Sequence, residues 1–142
     1  MKAWIFQGKP SRYDVAEELK PGKYEEWVAS SGFREMQPGD IVFFWRSGER
    51  EPERRGLYGW GKIVAEPLVD ENSGNWVRVQ YKRIFPHFIP DSALAENKNV
   101  ATHQLFTMPI GTNFSVSPEQ FKGILKEIKD RLGDKYLPTE DE

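Results

Sequence analysis

The stretch of residues 39–61 constrains the fold most, because it predicts two neighbouring strands joined by a polar loop. After a Gly-Asp turn, residues 41–46 form an unbroken run of strand-forming side chains, Ile-Val-Phe-Phe-Trp-Arg. Residues 49–55 are too strongly charged to be buried, and the chain then returns as a second strand. Gly59 and Gly61 weaken this second strand, which indicates that another group approaches its backbone closely.

Two further segments have the alternation of strands, and the C-terminal region has the pattern of a helix. Residues 2–7 place Ala, Ile and Gln on one face, and residues 75–85 alternate apolar with polar or basic side chains. Ser117 is a predicted N-cap, Gln120 completes a capping box, and Gly133 ends the helix. The apolar stripe between them predicts that this helix packs on the sheet.

Short or less regular segments connect these elements. Ser11 is expected to cap a short helix with Asp14 near its amino end, and residues 91–97 predict a second one. Residues 24–28 have helical spacing but form a segment too short to assign, and residues 101–108 fit either a helical turn or a short strand. Residues 86–90 and 109–116 are predicted to be irregular. With four or five mostly antiparallel strands, the pattern favours a partly closed barrel flanked by helices.

Length and composition are typical of a single-domain globular protein. The 142 residues are 38% hydrophobic and 30% charged. We expect one domain over residues 1–133 and an acidic, flexible tail over residues 134–142. The longest uncharged apolar run, residues 41–45, is far too short to span a membrane, and neither cysteine nor a signal-peptide pattern occurs. A cytoplasmic location without membrane contact is therefore expected.

No residue pattern in the chain is typical of catalysis. His87 and His103 are 16 positions apart and share no metal-ligand spacing. The Gly-Trp-Gly run at 59–61 lacks the third glycine of a dinucleotide loop, and no nucleophile elbow is present. The glutamate pairs 17–18 and 25–26 would point about 100° apart on a helix and form no acid–base couple. We therefore expect no enzyme activity, no metal site and no cofactor.

Three features indicate a binding site for a single nucleobase. Tryptophans occur near predicted loop ends, Asn113 lies in a loop of small and polar residues, and cations are spread over strand faces and loops. Aromatic faces stack on bases, amides pair with base edges and cations contact phosphates. A net charge of −2 argues against a non-specific polyanion binder, so such a site would be a local patch.

In order and spacing, these motifs make the chain similar to the EVE domain. The resemblance extends to about residue 132 and rests on residues 4–8, Tyr13-Asp14, Trp27, residues 39–48, residues 59–63 and residues 111–116. EVE domains belong to the PUA-like superfamily and are similar in fold to YTH domains, which bind N6-methyladenine in RNA through an aromatic cage. The resemblance implies an α+β fold, a PUA-like mixed β pseudobarrel of about five to six strands flanked by short helices and a C-terminal helix.

The resemblance also implies which residues form the site. Trp27 takes the place of the first cage aromatic, and Trp45 or Phe44 forms another wall. The expected base pocket also includes Gly8 and the side chains that would hydrogen-bond a base edge, namely Gln7, Ser47, Thr112 and Asn113. The cations expected at the nucleic-acid backbone are Lys9, Arg12, Arg46 and Lys82. The other tryptophans are expected in the core or on a strand face: Trp4, Trp60 and Trp76.

The implied function is that of a reader holding one flipped or unpaired modified base, with 5-methyl- or 5-hydroxymethylcytosine in DNA favoured. The expected partner is DNA or RNA carrying that base, and an effector protein would supply any nuclease or translocase activity. Three alternatives are an RNA reader of modified adenine or structured RNA, an enzyme or binder acting on a small nucleotide-like ligand, and a protein-interaction domain with a vestigial pocket.

Overall fold

The computed structural model describes residues 1–30, 32–48 and 50–139. Its strands are β1 (Ala3–Gly8), β2 (Tyr24–Val28), β3 (Ile41–Arg46), β4 (Gly56–Ile63), β5 (Leu68–Asp70), β6 (Gly74–Pro90) and β7 (Asn113–Val116). Its α-helices are α1 (Val15–Glu18), α2 (Asp91–Glu96) and α3 (Pro118–Leu132). Single turns of 3₁₀ helix lie at Phe33–Glu35, Pro52–Arg54, Gln104–Phe106 and Asp134–Tyr136. Among the described residues, no helix combines the length and apolar character that crossing a membrane requires.

The strands form one curled sheet. Their order is β2-β6-β4-β3-β1-β7, and the short β5 pairs with β6 beside this path. β1 and β3 run parallel, whereas the other paired strands run antiparallel. A path of six strands curled into a half-barrel, together with three α-helices, confirms the predicted α+β PUA-like fold.

The sheet carries a hydrophobic core on each face, because side chains alternate along β1 and β3. Ile5 and Phe43 point to one side, which we call the helix face because α2 and α3 cover it. Phe6 and Phe44 point to the opposite side, which we call the Trp27 face because it contains that residue. Burying each of these apolar side chains contributes about 1.5–3 kcal/mol. The alternation therefore decides which side chains can meet in one pocket.

The two glycines of β4 have the close neighbours that the sequence predicts. A Cβ on Gly59 would lie 2.4 Å from the Arg83 carbonyl oxygen, and a Cβ on Gly61 would lie 2.3 Å from that of Gln80. Both carbonyls belong to β6, whose register with β4 shifts twice along this stretch. Glycine is required here because the backbone of β6 occupies the space that a side chain would need.

The first helix and the second strand differ from the simplest sequence expectation. Asp14 rather than Ser11 caps α1, because the Asp14 carboxylate accepts a hydrogen bond from the Ala16 N–H at 3.0 Å. Residues 24–28, whose own pattern is ambiguous, form β2 because they pair with β6 along their whole length. Pairing with β6 thus determines the secondary structure of this segment, which its own residue spacing does not.

Strand structure extends into two segments predicted to be irregular. Residues 86–90 continue β6, and their last residues pair with the start of β4. Pro86 lies in the stretch where the β4–β6 register shifts, which is a position that tolerates proline. The second half of residues 109–116 forms β7, because it pairs antiparallel with β1. Both segments form strands because they pair with distant strands, although their own residues favour turns.

Helix α3 has its predicted boundaries. The Ser117 hydroxyl accepts a hydrogen bond from the Gln120 N–H, and the Gln120 side chain accepts one from the Ser117 N–H. Gly133 follows the last helical residue with φ of 100°. Ile124 and Ile128 are fully buried on the helix face, so the predicted apolar stripe covers the sheet.

The segment assigned to the C-terminal tail begins with a packed turn. The Tyr136 carbonyl accepts a hydrogen bond from the Trp60 indole N–H at 2.9 Å. Tyr136 and Leu137 are partly buried against the core of the helix face. Residues 140–142 of the predicted tail lie outside the described residues. The described start of this segment therefore contributes to the core.

Candidate functional site

A pocket of about 390 Å³ opens between the end of β1, strand β2 and the loop that leads into β7. We call it the Trp27 pocket; its central lining residues are Gly8, Tyr13, Glu25, Trp27, Trp76 and Thr112. The volume lies within the range of about 300–1,000 Å³ that is typical of small-molecule sites. β2 and β7 are the two ends of the strand path, so the pocket lies at the seam where the sheet curls toward closure.

Asn113 joins the two edges of this seam. It lies on β7, and its side-chain nitrogen donates to the carbonyl of Val28, the last residue of β2, at 2.9 Å. Its side-chain oxygen accepts a hydrogen bond from the Ser30 N–H, also at 2.9 Å. Asn113 is buried, and both ends of its amide are bonded to the backbone that leaves β2. The amide therefore holds the wall of the pocket, while its expected contact with a base edge stays a prediction.

Trp27 forms the inner wall of the pocket. It lies within β2 opposite Val77, not at a loop end, and only 7% of its surface is exposed. Its ring packs against the rings of Phe6, Tyr13 and Phe44 at centroid distances of 5.7, 5.3 and 5.5 Å. These contacts restrict the indole to one orientation, so the wall exists before any ligand arrives.

A chain of hydrogen bonds fixes the indole further. Its N–H donates to the Tyr81 hydroxyl at 3.1 Å. The Tyr81 and Tyr13 hydroxyls lie 2.7 Å apart, and the Tyr13 hydroxyl donates to the Glu25 carboxylate at 2.9 Å. Because Tyr13 gives its only polar proton to Glu25, Tyr81 is the donor in the bond between the two phenols. Each hydrogen bond in this series is therefore donated in the direction of Glu25.

The environment keeps both phenols protonated. Burial raises the pKa of Tyr13, and its hydrogen bonds with Tyr81 and Glu25 raise it further. Burial likewise raises the pKa of Tyr81. The Lys23 ammonium lies 3.3 Å from the Glu25 carboxylate and compensates its charge. The hydrogen-bond chain thus ends on a carboxylate that lines the pocket and is held in place from two sides.

The end of β1 borders the pocket through Gly8 and Gln7. A Cβ on Gly8 would lie 2.7 Å from the Tyr13 carbonyl oxygen and 3.5 Å from the Trp27 ring, so a larger residue would displace the pocket wall. The Gln7 amide donates to the Gly111 carbonyl at 2.9 Å. Gln7 thereby anchors the loop whose last residues form the opposite rim.

Both signs of charge line the pocket. Lys9 and Arg12 are exposed cations at its rim. Glu25 shares a strand face with Trp27, because the two residues are separated by one position in β2. Glu26 also lines the pocket and is exposed. The arrangement places an aromatic wall, a hydrogen-bond acceptor and two cations within reach of one small aromatic ligand.

Trp45, Ser47 and Phe44 lie elsewhere than in the Trp27 pocket. Trp45 points to the helix face, where it and Ser47 line a separate cavity of about 530 Å³. The Ser47 hydroxyl donates to the Gly8 carbonyl at 3.3 Å. Phe44 points to the Trp27 face but is fully buried behind the indole. Because Trp27 and Trp45 lie on opposite faces of the sheet, they do not wall one cage.

Two of the predicted phosphate contacts also lie away from the pocket. Arg46 is buried, and its guanidinium donates to the carboxylates of Asp14 and Glu51 at 3.0 and 3.2 Å. Burial raises the pKa of Asp14, but the hydrogen bond from Arg46 and that from the Ala16 N–H outweigh it and lower the pKa. Lys82 lies on β6 and donates to Gln80 at 2.8 Å. Lys9 and Arg12 are thus the predicted cations that the fold brings to the pocket.

Trp76 and Tyr13 are pocket residues whose position the sequence does not reveal. Trp76 pairs with Val28 in the β2–β6 register, and its half-buried side chain lines the pocket. The alternation of β6 predicts a strand-face residue here but not that β2 ends beside it. Tyr13 lies in the turn before α1, where no periodicity indicates the direction of a side chain. Its position beside Asp14 in the family motif is the only available signal.

The imidazole of His103 is hydrogen-bonded to the backbone on both sides. It is buried, and its Nδ1 accepts a hydrogen bond from the Leu105 N–H at 3.1 Å, so its Nε2 carries the proton and donates to the Ser115 carbonyl at 3.0 Å. Burial lowers the pKa of His103, although the bond to Ser115 raises it in part. Within the described ranges, no group of three or more histidine, aspartate or glutamate side chains could hold a metal ion.

Several solved structures share this fold. A hypothetical protein from Leishmania major matches with a TM-score of 0.74 and 16% identity, covering 92% of this chain and 96% of that one. Human THYN1, solved in complex with DNA containing 5-methylcytosine, matches with a TM-score of 0.71 and 21% identity, covering 89% of this chain and 97% of that one. A protein from Agrobacterium tumefaciens matches with a TM-score of 0.70 and 17% identity, covering 98% and 99%. No curated protein matches the chain in sequence.

The sequence signature of the EVE domain matches residues 2–127. This range contains every strand of the curled sheet and all lining residues of the Trp27 pocket. It also contains the motifs that carry the sequence resemblance, from the end of β1 to the loop before β7. The chain therefore belongs to the EVE domain family.

Proposed function

We propose that this chain is a non-enzymatic reader that holds one flipped or unpaired modified base in the Trp27 pocket, with 5-methylcytosine in DNA favoured. The observation that carries the proposal is the composition of the pocket: a fixed indole, a partly buried carboxylate and two exposed cations line one cavity of about 390 Å³. A base stacks on the indole, its edge pairs with the carboxylate and its phosphates meet the cations.

The energies of base binding explain why such a pocket would select a modification. Stacking on one aromatic side chain is worth about 1–3 kcal/mol, and extruding a base from a duplex costs a few kcal/mol. These two contributions nearly cancel, so an unmodified duplex binds weakly. Burying the extra methyl group adds about 0.8 kcal/mol, roughly fourfold in affinity. A stronger preference requires close packing around the methyl, for which Val28 and Trp76 supply apolar surface.

Glu25 gives the pocket a preference for cytosine over thymine. A carboxylate accepts hydrogen bonds and therefore suits the N4 amino group of cytosine, whereas thymine presents the O4 acceptor at the same position. The Glu25 carboxylate accepts bonds from Tyr13 and Lys23 through Oε2, while Oε1 accepts one long bond of 3.3 Å from the Glu26 N–H. Oε1 thus keeps lone-pair capacity for a base.

The charges at the pocket imply few phosphate contacts. Lys9 and Arg12 line the pocket and are exposed. Contact with about two phosphates predicts a slope near −2 when the logarithm of affinity is plotted against that of salt concentration. Arg46 adds nothing to this slope, because its charge is already compensated by Asp14 and Glu51.

The fold likeness to human THYN1 supports this use of the pocket, since that protein was solved with DNA containing 5-methylcytosine. At 21% identity the likeness concerns the fold, so the choice of base depends on the residues of this chain. The effector protein that the family resemblance implies stays a prediction, because no described contact bears on it.

The test is a binding series with oligonucleotides of one sequence. Fluorescence anisotropy measures affinity for single-stranded and duplex DNA with 5-methylcytosine or cytosine at one position, and for RNA with N6-methyladenine or adenine. The variants are Trp76→Ala and Trp27→Phe, and circular dichroism confirms their folding. Tyr24→Ala is the matched control, because Tyr24 lies on β2, is half exposed and does not line the pocket.

We expect the wild type to prefer 5-methylcytosine. Trp76→Ala should lose about fourfold or more of this preference, because it removes apolar surface beside the methyl group. Trp27→Phe should bind both modified and unmodified strands more weakly, because a smaller ring stacks on the base. Tyr24→Ala should bind like the wild type. Equal affinity of the wild type for modified and unmodified strands would contradict the proposal. Preference for N6-methyladenine in RNA would replace it with the RNA alternative.

A further inference from the structure

The loop before β7 presents a large apolar side chain to solvent beside the Trp27 pocket. Ile110 is 79% exposed and Met108 is 59% exposed, although both lie in a chain segment between ordered elements. We call residues 108–112 the Ile110 loop. Ile110 is the most exposed of the large hydrophobic residues among those that the structure describes. Ile110 and Met108 are two residues apart, so they place apolar surface on the solvent side of one loop beside the pocket.

The backbone of this loop is firmly anchored. The Gln7 amide donates to the Gly111 carbonyl at 2.9 Å and to the Pro109 carbonyl at 3.3 Å, one on each side of Ile110. The Gln7 backbone N–H donates to the Thr112 carbonyl at 2.8 Å. The side chain of Ile110 is therefore held outward on a braced loop, and ordering it on binding costs little conformational entropy.

The Ile110 loop forms the ridge between two cavities. Gly111 and Thr112 line the Trp27 pocket, whereas Ile110 lines the separate cavity that contains Trp45. Lys9 lines both cavities and is exposed. The side chain of Ile110 thus projects at the edge of the Trp27 pocket, with the cation Lys9 next to it.

Resting on the proposed function, we propose that Ile110 is a wedge that enters the DNA base stack when the neighbouring base moves into the Trp27 pocket. Extrusion of a base leaves a gap bounded by apolar base faces, and proteins fill or open such steps with side chains such as Ile, Leu, Met and Phe. The nearby cations favour a phosphate-bearing partner over an apolar protein surface. Ile110 would support the extruded state, and Lys9 would contact the phosphate next to the step.

A wedge affects only substrates in which a base must leave a stack. The test compares Ile110→Ser with the wild type on three DNAs that carry the same 5-methylcytosine: a paired duplex, a duplex with an abasic site opposite the base, and a single strand. Val69→Ser is the matched control, because Val69 is also β-branched and 69% exposed but lines no described cavity. A 2-aminopurine next to the modified base reports unstacking through its fluorescence.

We expect Ile110→Ser to weaken binding to the paired duplex about tenfold or more and to the single strand less than about twofold, with a smaller 2-aminopurine signal on the duplex. The abasic duplex should lie between these values, and Val69→Ser should match the wild type. Equal losses on duplex and single strand would overturn the wedge and make the loop part of the pocket wall. Unchanged binding to every DNA would also overturn it.

The two proposals fail separately. If Trp76→Ala abolishes the preference for 5-methylcytosine while Ile110→Ser changes nothing, the pocket holds the base and the wedge is wrong. If the wild type binds no modified strand preferentially, the proposed function itself is wrong, whatever the loop variant does.

Discussion

The indole N–H of Trp27 donates a hydrogen bond to the Tyr81 hydroxyl at 3.1 Å, from β2 to β6. The residue that would stack on a base is therefore also part of the core of the Trp27 face. Tyr81 is fully buried beneath the pocket and packs edge-on against Phe44 at 4.8 Å. Stability and binding are thus coupled at Trp27, and a Trp27→Ala variant would lose about 3–5 kcal/mol of folding free energy.

Tyr81→Phe should destabilise the protein through its lost hydroxyl. The substitution leaves the Trp27 indole N–H without its acceptor and deprives the Tyr13 hydroxyl of its donor. An unsatisfied buried donor costs about 1–3 kcal/mol, so the free energy of unfolding in urea should fall by that amount. Tyr24→Phe is the control, since Tyr24 is half exposed, and its change should stay below about 0.5 kcal/mol. Equal effects of the two variants would mean that the buried hydroxyl chain adds no stability.

Asn113→Ala should destabilise the protein by opening the seam of the sheet. The variant loses the bonds to the Val28 carbonyl and the Ser30 N–H, both at 2.9 Å. With two partly buried backbone groups left unpaired, we expect a loss of about 1–3 kcal/mol in urea unfolding. Hydrogen exchange should speed up in β2 more than in β3. Asn99→Ala, at a partly buried loop position, is the control. Unchanged stability of Asn113→Ala would mean that these two hydrogen bonds do not hold the seam together.

Local sequence patterns were sufficient to predict the central strands and the last helix. The run at 41–46 and the capping box of α3 each carry their own signal, because side-chain alternation and capping are local properties. Local patterns do not identify the strands at residues 24–28 and 113–116, since these strands depend on pairing with β6 and β1. Propensity is a weak guide wherever a distant strand supplies the hydrogen bonds.

The sequence predicts only part of the site, for the same reason. The sequence does not distinguish the environments of Trp27 and Trp45, but the register of their strands places them on opposite faces of the sheet. A shift of one residue in register exchanges the two faces, and the sequence does not fix that register. Arg46 similarly appears as a free cation until Asp14 and Glu51 are brought to it.

Glu25→Gln should shift the preference of the pocket from cytosine toward thymine. The amide still accepts a bond from the Tyr13 hydroxyl, but its NH₂ group can also donate to the O4 atom of thymine. Both 5-methylcytosine and thymine carry the same 5-methyl group, so the comparison isolates the base edge. We expect the ratio of affinities for these bases in one single-stranded sequence to fall about 5- to 100-fold.

Glu66→Gln serves as the control for this change of charge, because Glu66 is exposed and lines none of the described cavities. It should leave the ratio as in the wild type. If Glu25→Gln lowers affinity for both bases equally, Glu25 only supports the hydroxyl chain and does not contact the base edge.

His103 should make the protein less stable in mild acid. Burial lowers its pKa in the folded state below the unfolded value of about 6.5, so the unfolded chain binds the proton more readily. The stabilising contribution of the neutral imidazole is therefore complete above about pH 6.5 and declines as the pH falls toward the lower folded pKa. Protonation of Nδ1 would also remove the acceptor of the Leu105 N–H.

Urea unfolding between pH 7.5 and 5.0 measures this effect in the wild type and in His103→Gln, with His87→Gln as the exposed control. For one histidine the slope of unfolding free energy against pH cannot exceed about 1.4 kcal/mol per pH unit. We expect His103→Gln to be less stable at pH 7.5, because the bond to the Ser115 carbonyl is disturbed, yet to lose less stability on acidification. His87→Gln should keep the wild-type slope. Parallel pH profiles for the wild type and His103→Gln would show that other groups cause the acid sensitivity.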